Sequence, residues 1–235
     1  MSQTLIPPDP VEALARYRAH ADGYDASAER TMWIRSATID RLDLRVGDRV
    51  LDVACGTGLS FPMLRKAVGE SGEVIGIDLS PDMVALAHDR VRAAGWHNVR
   101  ILETALELAE IPRSLDAVLF HFTHDVLRSP TALQRVFEAV APDARVALAG
   151  MKYAPWWMAP VNVIVRAKAT PYMTTLDGLE SPWDLALPHL RCFDWRSVLF
   201  GTGYIGWGRA ANGQHPVNQS VADPVGGETC RRTGV

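Results

Sequence analysis

One stretch, Arg49-Val50-Leu51-Asp52-Val53-Ala54-Cys55-Gly56-Thr57-Gly58-Leu59-Ser60, leaves the chain few folds to choose from. Val50 to Ala54 is a short apolar run interrupted by one carboxylate, which suits a parallel strand covered on both faces. Gly56 and Gly58 allow backbone angles and a close ligand approach that side chains would block. From Leu59 to about Val68 the apolar residues fall at helical spacing. A helix starting there aims its free N–H groups at whatever occupies the turn.

A second strand is expected at Glu73-Val74-Ile75-Gly76-Ile77-Asp78, again ending in a carboxylate. Asp78 lies about 20 residues past Gly58, where a βαβ nucleotide fold holds two vicinal ribose hydroxyls. Two acceptor oxygens matching two hydroxyls is the physical reason. A dinucleotide fingerprint needs a third glycine three residues after Gly58, and Phe61 stands there instead. A pyrophosphate is therefore disfavoured. Asp52, just before the turn, is awkward for a pyrophosphate and useful for an ammonium group.

Asp52-Val53-Ala54-Cys55-Gly56-Thr57-Gly58 resembles motif I of the class I S-adenosylmethionine-dependent methyltransferases. Gly76-Ile77-Asp78-Leu79-Ser80-Pro81-Asp82-Met83 resembles the motif that follows it. The two together are similar to the ubiquinone/menaquinone-biosynthesis type of small-molecule methyltransferase, over roughly Ala19 to Lys152. The resemblance implies an α/β fold: a Rossmann-like, doubly wound, mostly parallel seven-stranded sheet with an antiparallel C-terminal hairpin. It implies S-adenosylmethionine as cofactor. Asp78 would hold the ribose, Gly56 and Gly58 the methionine portion, and Asp52 the ammonium. Leu79 and Ala105 would flank adenine, with Ala54, Cys55, Met83, Thr104 and His121 completing the cofactor site. Where the family usually has Gly-Asp-Ala, this chain has Glu103-Thr104-Ala105, so the aspartate contact to adenine is missing. Ala19 to Asp25 is similar to a flap segment of that family, which makes Tyr17, His20 and Tyr24 candidate pocket walls or packing residues.

Further strands are expected over Asn98–Leu102, Asp116–Phe120 and Arg145–Gly150, and a closing hairpin over Phe193–Trp207. Ser80-Pro81 and Ser129-Pro130 read as helix starts, a capping serine followed by proline at the first helical position. His121-Phe122-Thr123-His124-Asp125 follows the fourth strand and should face the transferred methyl group. His121, His124 and Asp125 are the candidate bases, the histidines because histidine titrates near neutrality; the alternative is that the histidines serve the loop's own hydrogen bonding. From Tyr153 to His189 an aromatic cap is expected. Tyr153, Trp156 and Trp157 are candidate substrate contacts, and Pro155-Trp156-Trp157 is a candidate membrane or lipid-headgroup contact. The competing reading is that the aromatic residues fill the cap's own core.

The net charge of −3 gives no electrostatic case for nucleic acid. Three scattered cysteines show no zinc spacing, and Cys55 suits a small buried position. No signal peptide and no run long enough to span a membrane are read, so a cytoplasmic setting is expected. The methyltransferase domain is expected over residues 1–209, with 210–235 as a disordered tail. The function expected is methyl transfer to O, N or C of a small, largely apolar or lipid-like acceptor: a quinol, a phenol, or an amine or lipid headgroup. A non-catalytic S-adenosylmethionine-binding scaffold and an NAD-dependent oxidoreductase are the alternatives.

Overall fold

The computed structural model describes residues 8–20, 25 and 29–211; the side chains of residues 10, 17, 19 and 20 fall outside the description. Tyr17, His20, Tyr24 and the expected tail from 212 onward therefore lie outside the described side chains.

The strands are β1 (Arg49–Val53), β2 (Glu73–Asp78), β3 (Val99–Glu103), β4 (Leu115–His121), β5 (Val140–Met151), β6 (Leu190–Val198) and β7 (Gly203–Ala210). They form one sheet in the order β3-β2-β1-β4-β5-β7-β6. The first five run parallel and β7 pairs antiparallel with both β5 and β6. This is the expected seven-stranded Rossmann-like sheet with its closing hairpin. Ala210 is the last residue of β7, paired with Leu190 and buried, so the ordered sheet extends one residue past the expected boundary.

The helices are α1 (Pro10–His20), α2 (Met32–Ile39), α3 (Phe61–Val68), α4 (Pro81–Ala94), α5 (His124–Leu127), α6 (Pro130–Ala139) and α7 (Ala159–Ala169). The caps form as the sequence predicts. Ser80 Oγ accepts from the Met83 N–H at 3.5 Å and Ser129 Oγ from the Ala132 N–H at 3.3 Å. Gly95 closes α4 in the left-handed conformation, φ 64°. Two apolar layers sandwich the sheet. One gathers Leu51, Ile75, Val118 and Leu133; the other gathers Val50, Leu64, Ala87 and Leu119.

The strand order reverses between β1 and β4. In open α/β sheets that switch point leaves a crevice outside the strands' carboxyl ends. The opposite end is closed by structural charge: Arg145 pairs with Asp48 at 2.8 Å and donates to the carbonyls of Asp43 and Asp116.

Phe61 explains the missing third glycine. Its ring is fully buried beneath the turn. A Cβ on Gly58 would lie 2.6 Å from the ring, and one on Gly76 2.7 Å from it and 2.8 Å from Cys55 Sγ. The space that a third glycine opens in a dinucleotide fold is here filled by an aromatic ring. Gly58 is thus demanded by the packing below it, whereas the sequence reading assigned it to ligand approach above. Gly58→Ala combines a left-handed φ of 76° with this clash. Its expected cost is about 2–4 kcal/mol, a fall in melting temperature of roughly 5–15 °C, read by thermal denaturation.

Candidate active site

The turn after β1 bends through three left-handed residues, Ala54 (φ 49°), Gly56 (φ 57°) and Gly58 (φ 76°). Ala54 has a side chain in that region, and such strain concentrates at functional sites. The turn is tied to β2 at two points. Cys55 N–H donates to the Ile77 carbonyl at 3.0 Å, and Gly56 N–H donates to Asp78 Oδ2 at 2.8 Å. Asp78 Oδ1 accepts from Ser80 N–H at 2.9 Å. Burial raises the Asp78 pKa above the ordinary carboxylate value, opposed by the backbone N–H groups of Ser80, Gly56 and Leu79. Each oxygen keeps a further lone pair for a ligand. Thr104 N–H donates to the Asp78 carbonyl at 3.0 Å, which brings Thr104 and Ala105 beside this carboxylate; Leu79 is half-buried next to them. Met83 lies fully inside, under the start of α4, as core. Cys55 is also core: burial first, then the Asp78 and Asp52 charges, push its thiol well above its usual range and hold it unreactive.

Asp52 sits near the end of β1, 1 % exposed, and its Oδ2 has no hydrogen-bond partner among the described residues. Burial pushes its pKa up to about 7. Two groups oppose that rise, the Arg35 guanidinium and a hydrogen bond from Ser60. Arg35 itself is buried on α2 and donates through Nη1 to Ser60 Oγ at 2.6 Å. The sequence reading missed Arg35. Its signal was a cation set between Ile34 and Thr38, both of which are buried on α2.

The other wall of the crevice is the end of β4. Neither ring nitrogen of His121 has a partner among the described residues, and the same holds for Thr123 Oγ1 and His124 Nδ1. Between them Phe122 is held at φ 60°, its N–H donating to the Ala149 carbonyl at 2.7 Å. Burial, with Arg35 second, drives the His121 pKa well below its ordinary value. Burial, with Arg128 second, lowers His124 to about 4. Both rings are therefore neutral at pH 7, which corrects the expected titration near neutrality. Arg128 was also missed: it is 7 % exposed, and its Nε and Nη1 have no partner among the described residues.

The cap closes over this loop. Asp125 accepts from Thr174 N–H and Thr174 Oγ1 at 2.9 and 2.8 Å, and His124 Nε2 lies 3.1 Å from the Asp177 carbonyl. Asp25 lies against the turn. Thr57 Oγ1 donates to Asp25 at 2.5 Å and Arg90 bridges Asp25 and the Thr57 carbonyl.

The remaining aromatic candidates part company. Tyr153 packs on the cap's small core of Ala169, Met173 and Leu179. Trp183 is buried in the main core beside Trp195 and Tyr204. Trp156 and Trp157 are exposed and do not fill the cap's core. Lys152 is buried, with Nζ donating to the carbonyls of Tyr153 and Gly201. A surface hollow of about 350 Å³ between the 108–113 loop and α6 contains none of the site residues.

The family model "Methyltransferase domain" matches residues 50–143. A demethylmenaquinone methyltransferase from Shouchella clausii is 37 % identical over 114 residues, 48 % of this chain and 48 % of its own. The chain thus spans about half the length of the curated relatives it matches. Among solved structures, a SAM-dependent methyltransferase from Aquifex aeolicus superposes with a TM-score of 0.58 at 22 % identity, covering 86 % of this chain and 99 % of that one. A phosphoethanolamine N-methyltransferase from Haemonchus contortus superposes with a TM-score of 0.66 at 15 % identity, covering 88 % and 60 %. With its sheet order, its glycine turn tied to the β2 carboxylate and the matched domain between them, the chain has the Rossmann-like fold of the class I S-adenosylmethionine-dependent methyltransferases, and its residues 50–143 are similar to their methyltransferase domain.

Proposed function

We propose that the protein transfers a methyl group from S-adenosylmethionine to a small, largely apolar acceptor bound between the end of β4 and the cap. The carrying observation is the set of buried, unpartnered polar atoms on the two walls of the switch-point crevice: Asp52 Oδ2 on one side, and His121, Thr123 Oγ1 and His124 Nδ1 on the other. Buried polar groups are normally satisfied, so such a cluster marks where a ligand's polar atoms belong.

The residues fit the cofactor. Asp78 would accept from the ribose hydroxyls. Asp52 and Arg35, buried together and opposite in sign, match the ammonium and carboxylate of an amino acid. Leu79, Thr104 and Ala105 would border the adenine, with Ala54, Gly56 and Gly58 shaping the turn beneath. The bound cofactor supplies a methyl group activated by its sulfonium, so orientation of the acceptor can carry much of the acceleration. On the acceptor side, the neutral rings of His121 and His124 can each accept a proton from a hydroxyl, and Thr123 can fix that hydroxyl's direction. Their lowered basicity favours an acidic hydroxyl, as in a phenol or quinol, over an aliphatic alcohol. The demethylmenaquinone methyltransferases among the relatives support the same class. The matched domain ends at residue 143, so the cap that would select the acceptor lies outside it. A cytoplasmic setting is part of the proposal.

Calorimetric titration of S-adenosylhomocysteine and, separately, of NAD tests the cofactor. Labelled-methyl transfer to a panel of phenols, quinols and amines tests the reaction. Micromolar binding of the first ligand only, with turnover on a ring hydroxyl, is expected. Binding without turnover on any acceptor would favour a scaffold, and NAD binding would overturn the assignment.

A further inference from the structure

A group of strongly exposed apolar side chains lies on the cap and the adjoining β6–β7 turn. Trp156 is 87 % exposed, Trp157 67 %, Val163 68 %, Ile164 57 % and Phe200 95 %. These residues come from three segments that meet. The Leu199–Gly201 turn abuts Pro155, since a Cβ on Gly201 would lie 3.2 Å from Pro155 Cδ. Lys152 ties the turn to the cap's base through the Tyr153 and Gly201 carbonyls. Leu199 and Phe200 are both left-handed, φ 52° and 54°, and the turn holds the Phe200 ring outward.

Helix α7 continues the face. Val165 and Ala169 are buried on its inner side. Pro160, Val163, Ile164 and Ala167 are exposed and recur at three- and four-residue spacing, so they form one outward stripe. At 100° per residue Arg166 and Lys168 fall on its two margins, and both are exposed. The helix is apolar outward with cations on each edge, the pattern of a helix lying in a bilayer's interfacial plane.

Charge identifies the occupant. No Asp or Glu occurs between Asp143 and Asp177, although the whole chain carries −3. A second copy of this face would set Arg166 and Lys168 against their own like charges. Residues 212–235 contain no Leu, Ile, Met, Phe, Tyr or Trp with which to cover the patch. We propose that this face docks on an anionic lipid surface, with Trp156, Trp157, Ile164 and Phe200 at the headgroup–acyl boundary and Arg166 and Lys168 against lipid phosphates. The proposal does not depend on the methyl-transfer reading.

The test is co-sedimentation of the full chain with vesicles of phosphatidylglycerol and phosphatidylcholine, and with phosphatidylcholine alone. Preferential binding to the anionic vesicles, weakened by salt and accompanied by a blue shift of tryptophan emission, is expected. Trp156→Ala/Trp157→Ala should lower the partition coefficient about tenfold or more. Arg166→Gln/Lys168→Gln should lower it by about fivefold per cation on anionic vesicles, with little change on phosphatidylcholine. All four side chains are exposed, so the variants should keep the wild-type melting temperature. Absence of vesicle binding, or binding that both double variants retain in full, overturns the proposal. So does a dimer in sedimentation equilibrium that the tryptophan variant abolishes, because the face would then belong to a second copy.

Discussion

In Asp78→Ala, affinity for S-adenosylhomocysteine is expected to fall by two orders of magnitude or more. The Asp78 carboxylate ends β2, is largely buried, and has spare lone pairs on both oxygens beyond those used by Gly56 and Ser80 N–H. Hydrogen bonds to a charged group contribute about 1.5–3 kcal/mol each, so two ribose hydroxyls lost together correspond to roughly 100-fold or more. The substitution also unties Gly56 from β2, which would weaken any ligand of the turn. The two effects separate with a 2′,3′-dideoxy analogue of the ligand. Wild type should already bind that analogue weakly; the further loss in Asp78→Ala measures the tether alone and should be much smaller than the loss for the full ligand. If the variant weakens both ligands equally, Asp78 acts only as the tether of the turn, and the ribose role is lost. If titration shows both affinities unchanged, the cofactor placement fails.

The sheet was legible because its inner parallel strands are buried on both faces and read as apolar runs, with capping serines and prolines between them. The glycine turn and Asp78 were legible because backbone conformation and strand-tip position are local properties. What stayed hidden depends on packing between distant segments. Phe61 looked only like a missing glycine, yet its ring fills the hollow that Gly58 and Gly76 leave. Arg35 sits 17 positions before Asp52 in the chain, and nothing local signals that α2 delivers it to Ser60 and to the field of both Asp52 and His121. Composition marked the aromatic cap but could not sort it. Trp183 went to the main core while Trp156 and Trp157 went to solvent, because only the former is brought against β6 and β7. The histidines were legible as site residues by position, and their charge state was not, because burial depth decides it.

The buried pair Asp52 and Arg35 makes cofactor affinity depend on pH in a definite direction. In the free protein burial holds the Asp52 carboxyl at about 7, so below that pH it carries a proton and offers no charge to an ammonium group. Affinity for S-adenosylhomocysteine should therefore rise as pH increases toward 7, approaching tenfold per unit, and level off above. Titration in buffers of different ionisation enthalpy at about pH 6 should show uptake of a proton by the buffer on binding. The same raised value makes the free fold lose stability as pH rises from about 4 to 7, since the unfolded chain releases this proton first. Asp78, also raised, adds in the same sense, while the lowered His121 and His124 act in the opposite sense, because the unfolded chain takes up their protons as pH falls below about 6.5. The Asp52 contribution is therefore read as the difference in the pH dependence of melting temperature between wild type and Asp52→Asn, and bound ligand should shrink that difference. Asp52→Asn removes the carboxyl: affinity at pH 8 should drop on the order of tenfold or more, and most of the pH dependence with it. Arg35→Met keeps the bulk and removes the cation that holds Asp52 down. The inflection should then move above pH 7 and affinity at neutrality should fall. An Asp52→Asn profile that keeps the wild-type slope would assign the titration elsewhere and remove Asp52 from the ammonium site.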